Sequence, residues 1–227
     1  MTRVAALVPA AGEGSRLGLG PKAFVRLAGR TLIEHAAALL VAEVEELLIA
    51  VPEGWQDEAR LLVPEARVLV GGATRQQTVE RLADATDAAW VVVHDAARPL
   101  TPPDVVRRVL QAAQRSGAAS AVLEVADTLH DTARDAPVAR DDLRAVQTPQ
   151  AFARELLLQV HRSARAAGTV ATDDAQLVRA AGGTVELVAG SAWSHKLTRA
   201  SDLSWLEAVV RGRDAIARGR DPMGAGS

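Results

Sequence analysis

Short runs of apolar and β-branched residues alternate along this chain with segments whose apolar residues have helical spacing. The strands predicted from these runs cover residues 4–8, 46–51, 67–70, 90–93, 118–125 and 184–188. The predicted helices cover residues 31–42, 56–62, 74–85, 103–115, 151–166, 173–181 and 201–213. The strands are too apolar to face water on either side. The alternation therefore predicts a three-layer α/β/α fold, with a Rossmann-like, mostly parallel sheet between helices.

Three loops that follow predicted strands carry small or charged residues. They are residues 9–22, 71–78 and 94–101. Ligands of open parallel sheets bind at the carboxyl ends of the strands, so a site is expected on these loops. The first loop, PAAGEGSRLGLGPK, lets backbone amides approach an anion without obstruction by Cβ atoms. Its spacing matches neither the dinucleotide fingerprint nor a Walker A loop.

Two lysines stand out among the 26 basic residues, because all the others are arginines. Lys22 ends the first loop, and Lys196 lies far along the chain. Lysine supplies a compact ammonium group where the planar fork of arginine is not suited. The two lysines are therefore candidates for a site of that kind, and two chance surface lysines are the alternative.

Composition excludes several classes of protein. A net charge of −2 does not indicate a broad nucleic-acid surface, and the chain has no cysteine for disulfides or thiolate metal sites. The apolar runs are too short for a signal peptide or a membrane span, so no membrane partner and a cytoplasmic location are predicted. We expect a single domain over residues 1–227, with a flexible tail from about residue 214.

One polar segment interrupts the alternation. Residues 127–148, DTLHDTARDAPVARDDLRAVQT, are too many for an ordinary loop in a compact domain. The segment is predicted to be either disordered or an arm that packs against something else.

The first loop together with PKAF resembles the signature of sugar-phosphate nucleotidyltransferases. The motif VHDAARP, at residues 93–99, resembles one family among them, the 2-C-methyl-D-erythritol 4-phosphate cytidylyltransferases. The further matches arrive in order: GGATRQQTV at 71–79, DT at 127–128, QTPQAF at 147–152, ATDDA at 171–175 and HKLTRASDL at 195–203. The resemblance covers residues from about 4 to about 210.

The resemblance implies a reaction of CTP with 2-C-methyl-D-erythritol 4-phosphate, giving 4-diphosphocytidyl-2-C-methyl-D-erythritol and pyrophosphate. Mg²⁺ or another divalent cation is the implied cofactor. The sugar phosphate attacks the α-phosphorus in line, and it is already deprotonated, so no strong general base is needed. Catalysis then depends on positioning and on neutralisation of charge.

The resemblance also implies roles for single residues. Catalysis is assigned to Lys22, Lys196 and Arg16. The residues expected to bind the nucleotide are Pro9, Ala10, Ala11, Gly12, Gly14, Gly72, Arg75, Thr78, Asp95 and Ala96. Asp95, at the end of a buried strand, is also the expected Mg²⁺ ligand. His94 beside it is interpreted as a buried, hydrogen-bonded histidine. The residues expected to bind the second substrate are Arg98, Thr128, Arg140, Thr148 and Thr172.

By the same resemblance, the arm is a β-hairpin that crosses to a partner subunit, so that Thr128 and Arg140 complete the neighbour's site in a homodimer. The sequence departs from the family pattern at three positions. Relatives often carry Asp where Ala73 stands, Lys near His130, and Asn where Ser194 stands.

The motifs leave other functions open. The nearest is a cytidylyltransferase acting on ribitol 5-phosphate or another polyol phosphate. A guanylyltransferase of molybdopterin metabolism would share the first loop but lack HDAARP and the arm. A nucleotide-binding protein without catalysis would bind CTP and release no pyrophosphate.

Overall fold

A seven-stranded sheet forms the middle layer of the structure, a computed structural model that describes residues 3–12, 14 and 20–217. In chain order the strands are β1 (Val4–Pro9), β2 (Arg26–Leu27), β3 (Arg30–Thr31), β4 (Glu46–Val51), β5 (Arg67–Val70), β6 (Trp90–Val93), β7 (Ala118–Glu124), β8 (Leu129–Asp131), β9 (Ala136–Val138), β10 (Arg144–Ala153) and β11 (Glu186–Ala189). The helices are α1 (Leu32–Leu40), α2 (Gln56–Leu62), α3 (Arg75–Asp84), α4 (Pro103–Ser116), α5 (Arg154–Ala167), α6 (Asp174–Ala180) and α7 (Ala200–Ala217).

The strand order in the main sheet is β11-β7-β10-β6-β1-β4-β5. Strand β10 runs antiparallel to both of its neighbours, and the other pairs are parallel. Alternate residues of β1 point to opposite faces of the sheet, as the pleat requires. Ala6 and Val8 join a core with α1 and α4, whereas Ala5 and Leu7 join a core with α3, α5 and α6. The predicted three-layer α/β/α fold is confirmed.

Strand β10 is where the sequence-based assignment was wrong. Residues 151–153 were predicted to begin a helix, but they are the end of this strand, and α5 starts at Arg154. The strand escaped prediction because it buries polar residues among its apolar ones. Gln147 and Gln150 are buried, and their amides are satisfied by the Ser191 backbone and by Asp173.

The hairpin is shorter than the predicted arm of residues 127–148. Residues 144–148 already belong to β10, where Arg144 pairs with Glu124 of β7. The hairpin that connects β7 to β10 consists of β8 and β9. In the predicted flexible tail, residues 214–217 continue α7, and the remaining residues lie outside the described part of the chain.

None of the helices that the structure describes is both long enough and apolar enough to cross a membrane.

Candidate active site

A cavity of about 570 Å³ opens at the carboxyl end of β1 and β6. The residues that line it are Pro9, Ala10, Ala11, Gly12, Gly14, Lys22, Ala23, Gly72, Ala73, Thr74, Arg75, Thr78, Asp95, Ala96, Ala97 and Lys196. The cavity thus brings together the three loops singled out in the sequence and both lysines. Every residue predicted to contact the nucleotide lies in this lining.

Gly14 of the first loop lies close to Gly20 and Lys22 at the other end of that loop. Gly14 has a φ of +68°, and a Cβ there would lie 2.7 Å from the Gly20 carbonyl oxygen, so a larger residue is excluded. The Lys22 amide donates to the Gly12 carbonyl at 3.3 Å, which returns the chain to the end of β1. A Cβ at Gly12 would meet nothing within 4 Å, so this residue faces open space. Arg16, the third predicted catalytic residue, lies outside the described residues.

The second loop is fixed by hydroxyl groups and lies directly against the first. Thr74 caps α3 by accepting from the Gln77 amide at 3.1 Å. Thr78 Oγ1 accepts from the Gly72 amide at 3.0 Å and donates to the Thr74 carbonyl at 2.8 Å. A Cβ at Gly71 would lie 2.2 Å from the Cβ of Ala11. Close contact between these glycine-rich and alanine-rich segments therefore sets the distance between two walls of the cavity.

Asp95 is the only carboxylate among the described residues that line the cavity, and cationic side chains contact both of its oxygens. Its Oδ2 accepts from Lys196 Nζ at 2.6 Å. Its Oδ1 accepts from Nε of Arg75 at 3.2 Å and lies 3.2 Å from Nη2 of the same group. Burial raises the pKa of Asp95, but Arg75 and then Lys196 outweigh this effect and hold it well below its usual range. Asp95 is therefore an anion that orients Lys196, and it is not poised to act as a base near neutral pH.

The backbone at Asp95 is held by a chain of buried hydrogen bonds. Thr148 Oγ1 accepts from the Asp95 amide at 3.0 Å and lies 3.3 Å from Nδ1 of His94. The Arg98 carbonyl, 3.3 Å from Nε2 of His94, can only accept, so Nε2 carries the ring proton and Thr148 donates its own proton to Nδ1. Burial lowers the pKa of His94 to about 4, so the ring is neutral. The interpretation of His94 as a buried, hydrogen-bonded histidine is confirmed.

The residues predicted to bind the second substrate lie outside this lining. Thr148 is buried behind Asp95, and Arg98 donates to the Ser194 carbonyl at 2.6 Å. Thr172 donates to the Gln176 side chain at 3.2 Å. In the arm, Thr128 is exposed, and Arg140 donates to the Ala126 carbonyl. Within one chain, no described residue of the arm lines the cavity.

The structure also gives a place to the three departures from the family pattern. Ala73 lines the cavity, and its amide donates to the Gln77 side chain. His130 Nε2 contacts Asp135 Oδ1 at 3.0 Å in the exposed hairpin. Ser194 is fully buried, and its hydroxyl has no hydrogen-bond partner among the described residues.

Sequence reasoning gave no role to Asp174, the second acidic residue of ATDDA. Its carboxylate is buried behind the cavity and pairs with Nη1 of Arg75 at 2.9 Å. The motif was recognised, but only the fold reveals that Arg75 is its partner. A buried arginine flanked by two carboxylates cannot be read from residues so far apart in the chain.

The chemistry open to this cavity is the binding of a polyanion. Its described walls combine small glycine and alanine residues with two ammonium groups and one guanidinium. Among the described residues, no group of three or more His, Cys, Asp or Glu side chains could hold a metal ion by itself. A divalent cation in this cavity would therefore take most of its ligands from a bound phosphate chain and from water.

The sequence profile of the 2-C-methyl-D-erythritol 4-phosphate cytidylyltransferase family matches residues 4–212. The chain belongs to this family. The family expected from the ordered motifs is thereby confirmed.

Individual relatives agree with the family match. A protein of Deinococcus radiodurans named 2-C-methyl-D-erythritol 4-phosphate cytidylyltransferase is 50% identical over 211 residues, which cover 92% of this chain and 90% of that protein. A protein of the same name from Thermus thermophilus is 48% identical, with coverage of 92% and 97%. A crystal structure of the cytidylyltransferase from Thermus thermophilus matches with a TM-score of 0.82 at 44% identity, covering 93% of this chain and 100% of that one.

Proposed function

We propose that this protein transfers CMP from CTP to 2-C-methyl-D-erythritol 4-phosphate and releases pyrophosphate. The observation that carries the proposal is that Lys22 and Lys196 line the same cavity, with Lys196 held by the anionic Asp95. Cation placement of this kind suits phosphoryl-group chemistry, in which positioning and charge neutralisation supply most of the rate.

The loops suggest how CTP lies in the cavity. Gly72 and Thr78 of the second loop would lie at the base and its sugar, and Gly12 and Gly14 of the first loop would lie at the triphosphate; all four line the cavity. Lys22 and Lys196 then flank the α-phosphorus. A phosphate oxygen of methylerythritol phosphate forms the new P–O bond, while the bond to the β-phosphate oxygen breaks and pyrophosphate departs with its electron pair. The lysines neutralise charge on the leaving group, and no protein side chain needs to accept a proton.

Mg²⁺ or another divalent cation is proposed as the cofactor, with Asp95 as the protein group that would hold it. One carboxylate together with substrate phosphates is a normal set of ligands for Mg²⁺, and Oδ2 of Asp95 keeps a second lone pair beyond the one that accepts from Lys196, so the residues present fit the ion. When bound, the ion supplies further positive charge to the phosphates. Asp95 itself serves Lys196 and Arg75 through the contacts already described.

The second substrate is proposed to bind with help from a partner subunit. Thr128 and Arg140 lie on the arm and not in the lining of their own chain's cavity. An arm that reaches into a neighbouring cavity would bring the Arg140 guanidinium to the methylerythritol phosphate. In this arrangement, Arg98, Thr148 and Thr172 border the same region from the other chain.

A mixing experiment tests the shared site. Homodimers of Arg140→Ala and of Lys196→Ala are each expected to be inactive. After exchange of subunits, a mixed dimer carries both defects in one site and neither in the other, so activity should return. No recovery after verified exchange, or an active monomer by light scattering, would contradict the shared site.

Pyrophosphate release with a panel of substrates tests the reaction itself. Purified enzyme is given CTP, Mg²⁺ and one of methylerythritol 4-phosphate, erythritol 4-phosphate or ribitol 5-phosphate, with GTP in place of CTP as a control. We expect the highest kcat/KM with CTP and methylerythritol 4-phosphate. Faster turnover of ribitol 5-phosphate would transfer the assignment to that substrate, and CTP binding without pyrophosphate release would indicate a protein without catalysis.

A further inference from the structure

The ion pairs at Asp95 continue from the cavity into the core. Asp95 contacts Lys196 on one side and Arg75 on the other. Arg75 Nη1 then reaches Asp174 Oδ2 at 2.9 Å, and Asp174 Oδ1 lies 3.0 Å from His161 Nε2. These five residues, here called the charge row, run from the exposed ammonium of Lys196 to a histidine on the inner face of α5.

The inner end of the charge row is cut off from solvent. The side chains of Asp174 and His161 are each 1% exposed, and neither lines the cavity. Burial raises the pKa of Asp174, but Arg75 and then His161 lower it below its usual range. An ionised carboxylate at such a depth is costly unless it is paired with good geometry. The ion pair with Arg75, which lines the cavity, therefore compensates for the buried charge of Asp174.

His161 fixes the orientation of Asp174. The ionised Asp174 carboxylate can only accept, so His161 donates from Nε2 to Oδ1, and Nδ1 is buried without a hydrogen-bond partner among the described residues. The ring therefore serves Asp174 alone.

The guanidinium of Arg75 is held along two edges. Nε and Nη2 face Asp95, while Nη1 faces Asp174. The group is planar, so two carboxylates on different edges determine both its position and its plane. With Asp174 neutralised, Arg75 would be free to rotate toward Asp95 or toward a bound phosphate. Either movement would disturb the contact of Asp95 with Lys196.

We propose that Asp174, supported by His161, is a positioning residue for cytidylyl transfer: it fixes Arg75 so that Asp95 holds Lys196 toward the cavity. This inference rests on the proposed function. Asp174 is expected to affect turnover without touching either substrate. Displacement of a catalytic group by about 1 Å can lower a rate on the order of 100-fold, so the expected effect is measurable.

The neighbouring residue Asp173 provides a matched control. It caps α6 by accepting from the Gln176 amide at 3.0 Å and also accepts from Gln150, but no contact joins it to Arg75. Asparagine caps helices about as well as aspartate. Asp173→Asn therefore makes the same chemical change one residue away, outside the charge row.

The test compares kcat and KM of the wild type, Asp174→Asn and Asp173→Asn, well below each melting temperature. We expect kcat of Asp174→Asn to fall at least tenfold with a smaller change in KM for CTP, and Asp173→Asn to stay within about threefold of the wild type. A kcat of Asp174→Asn within twofold of the wild type would overturn the positioning role. A wild type without pyrophosphate release would instead overturn the proposed function, so the two failures are distinguishable.

A double-mutant cycle separates positioning from a purely structural role. If Asp174 acts through Arg75, adding Asp174→Asn to Arg75→Gln lowers kcat by no more than about twofold further. The double variant should also melt at a higher temperature than Arg75→Gln alone, because Asp174→Asn removes the buried carboxylate charge that has lost its Arg75 partner. Losses in kcat that multiply independently would contradict the inference.

Variants of His161 provide a second route that leaves both carboxylates in place. His161→Leu removes the donor to Asp174 and is expected to lower kcat at least about threefold, whereas the amide of His161→Gln restores a donor and should recover most of it. Equal kcat values for these two variants would overturn the supporting role of His161.

Discussion

Placing a methyl group on Gly71 tests how tightly two walls of the cavity are set. A Cβ at Gly71 would lie 2.2 Å from the Cβ of Ala11, whereas carbon atoms prefer a separation of about 3.5–4.0 Å. The loops would have to separate by about 1.5 Å. Neither loop can move freely, because Gly71 N donates to the Val51 carbonyl at 2.9 Å and Ala10 N to the Ala50 carbonyl at 2.8 Å.

The expected cost follows from this geometry. Overpacking at a constrained position costs about 1–3 kcal/mol of stability. Misplacing one amide that donates to a charged phosphate costs about 1.5–3 kcal/mol of binding. Since about 1.4 kcal/mol is a factor of ten, the Gly71→Ala variant should bind CTP on the order of 10- to 100-fold more weakly.

Titration calorimetry with CTP and calorimetric melting measure both quantities. Gly212→Ala is the matched control, because a Cβ at that position in α7 meets nothing within 4 Å. It should bind CTP like the wild type and melt at the same temperature or slightly above, since alanine is the better helix former. A Kd for Gly71→Ala within twofold of the wild type would refute the tight contact between the loops.

Three further predictions concern stability. The pKa values of Asp95 and Asp174 are lower in the folded state, so the stability that these carboxylates contribute is present above about pH 4 and is lost as the pH falls toward their folded pKa values. Between about pH 5 and pH 2, the urea midpoint of Asp95→Asn should therefore fall less steeply than that of the wild type. Equal slopes would contradict a contribution of Asp95 to the acid sensitivity of the fold. Ser194→Ala removes a buried hydroxyl that has no partner among the described residues, so the melting temperature should stay the same or rise, and a drop of several degrees would reveal a missing contact. Thr148→Val leaves the buried Asp95 amide without an acceptor and should cost about 1–3 kcal/mol in urea denaturation, while Thr148→Ser should stay close to the wild type.

Local sequence patterns were sufficient for the features that depend on neighbouring residues. The strands β1, β4, β5 and β6 are short apolar runs bounded by turns, and they were found close to their observed positions. The loops that follow β1, β5 and β6 line the cavity, since the carboxyl ends of parallel strands meet at one edge of a sheet.

Features that depend on partners distant in the sequence were not accessible. Strand β10 buries polar side chains that find hydrogen bonds at Ser191 and Asp173, so its composition resembles a loop. The role of Asp174 depends on Arg75, which belongs to another loop. Magnesium, the homodimer and the cytoplasmic location stay predictions.

Single-turnover transfer of CMP by Lys22→Ala and by Lys196→Ala tests the central claim most directly, namely that two ammonium groups stabilise charge at the reacting phosphorus. Removal of one such donor costs on the order of 10²–10³ in rate. We expect both variants to retain the wild-type fold by circular dichroism and to transfer CMP at least about 100-fold more slowly. A folded variant of either kind that transfers CMP within about tenfold of the wild-type rate would contradict the claim.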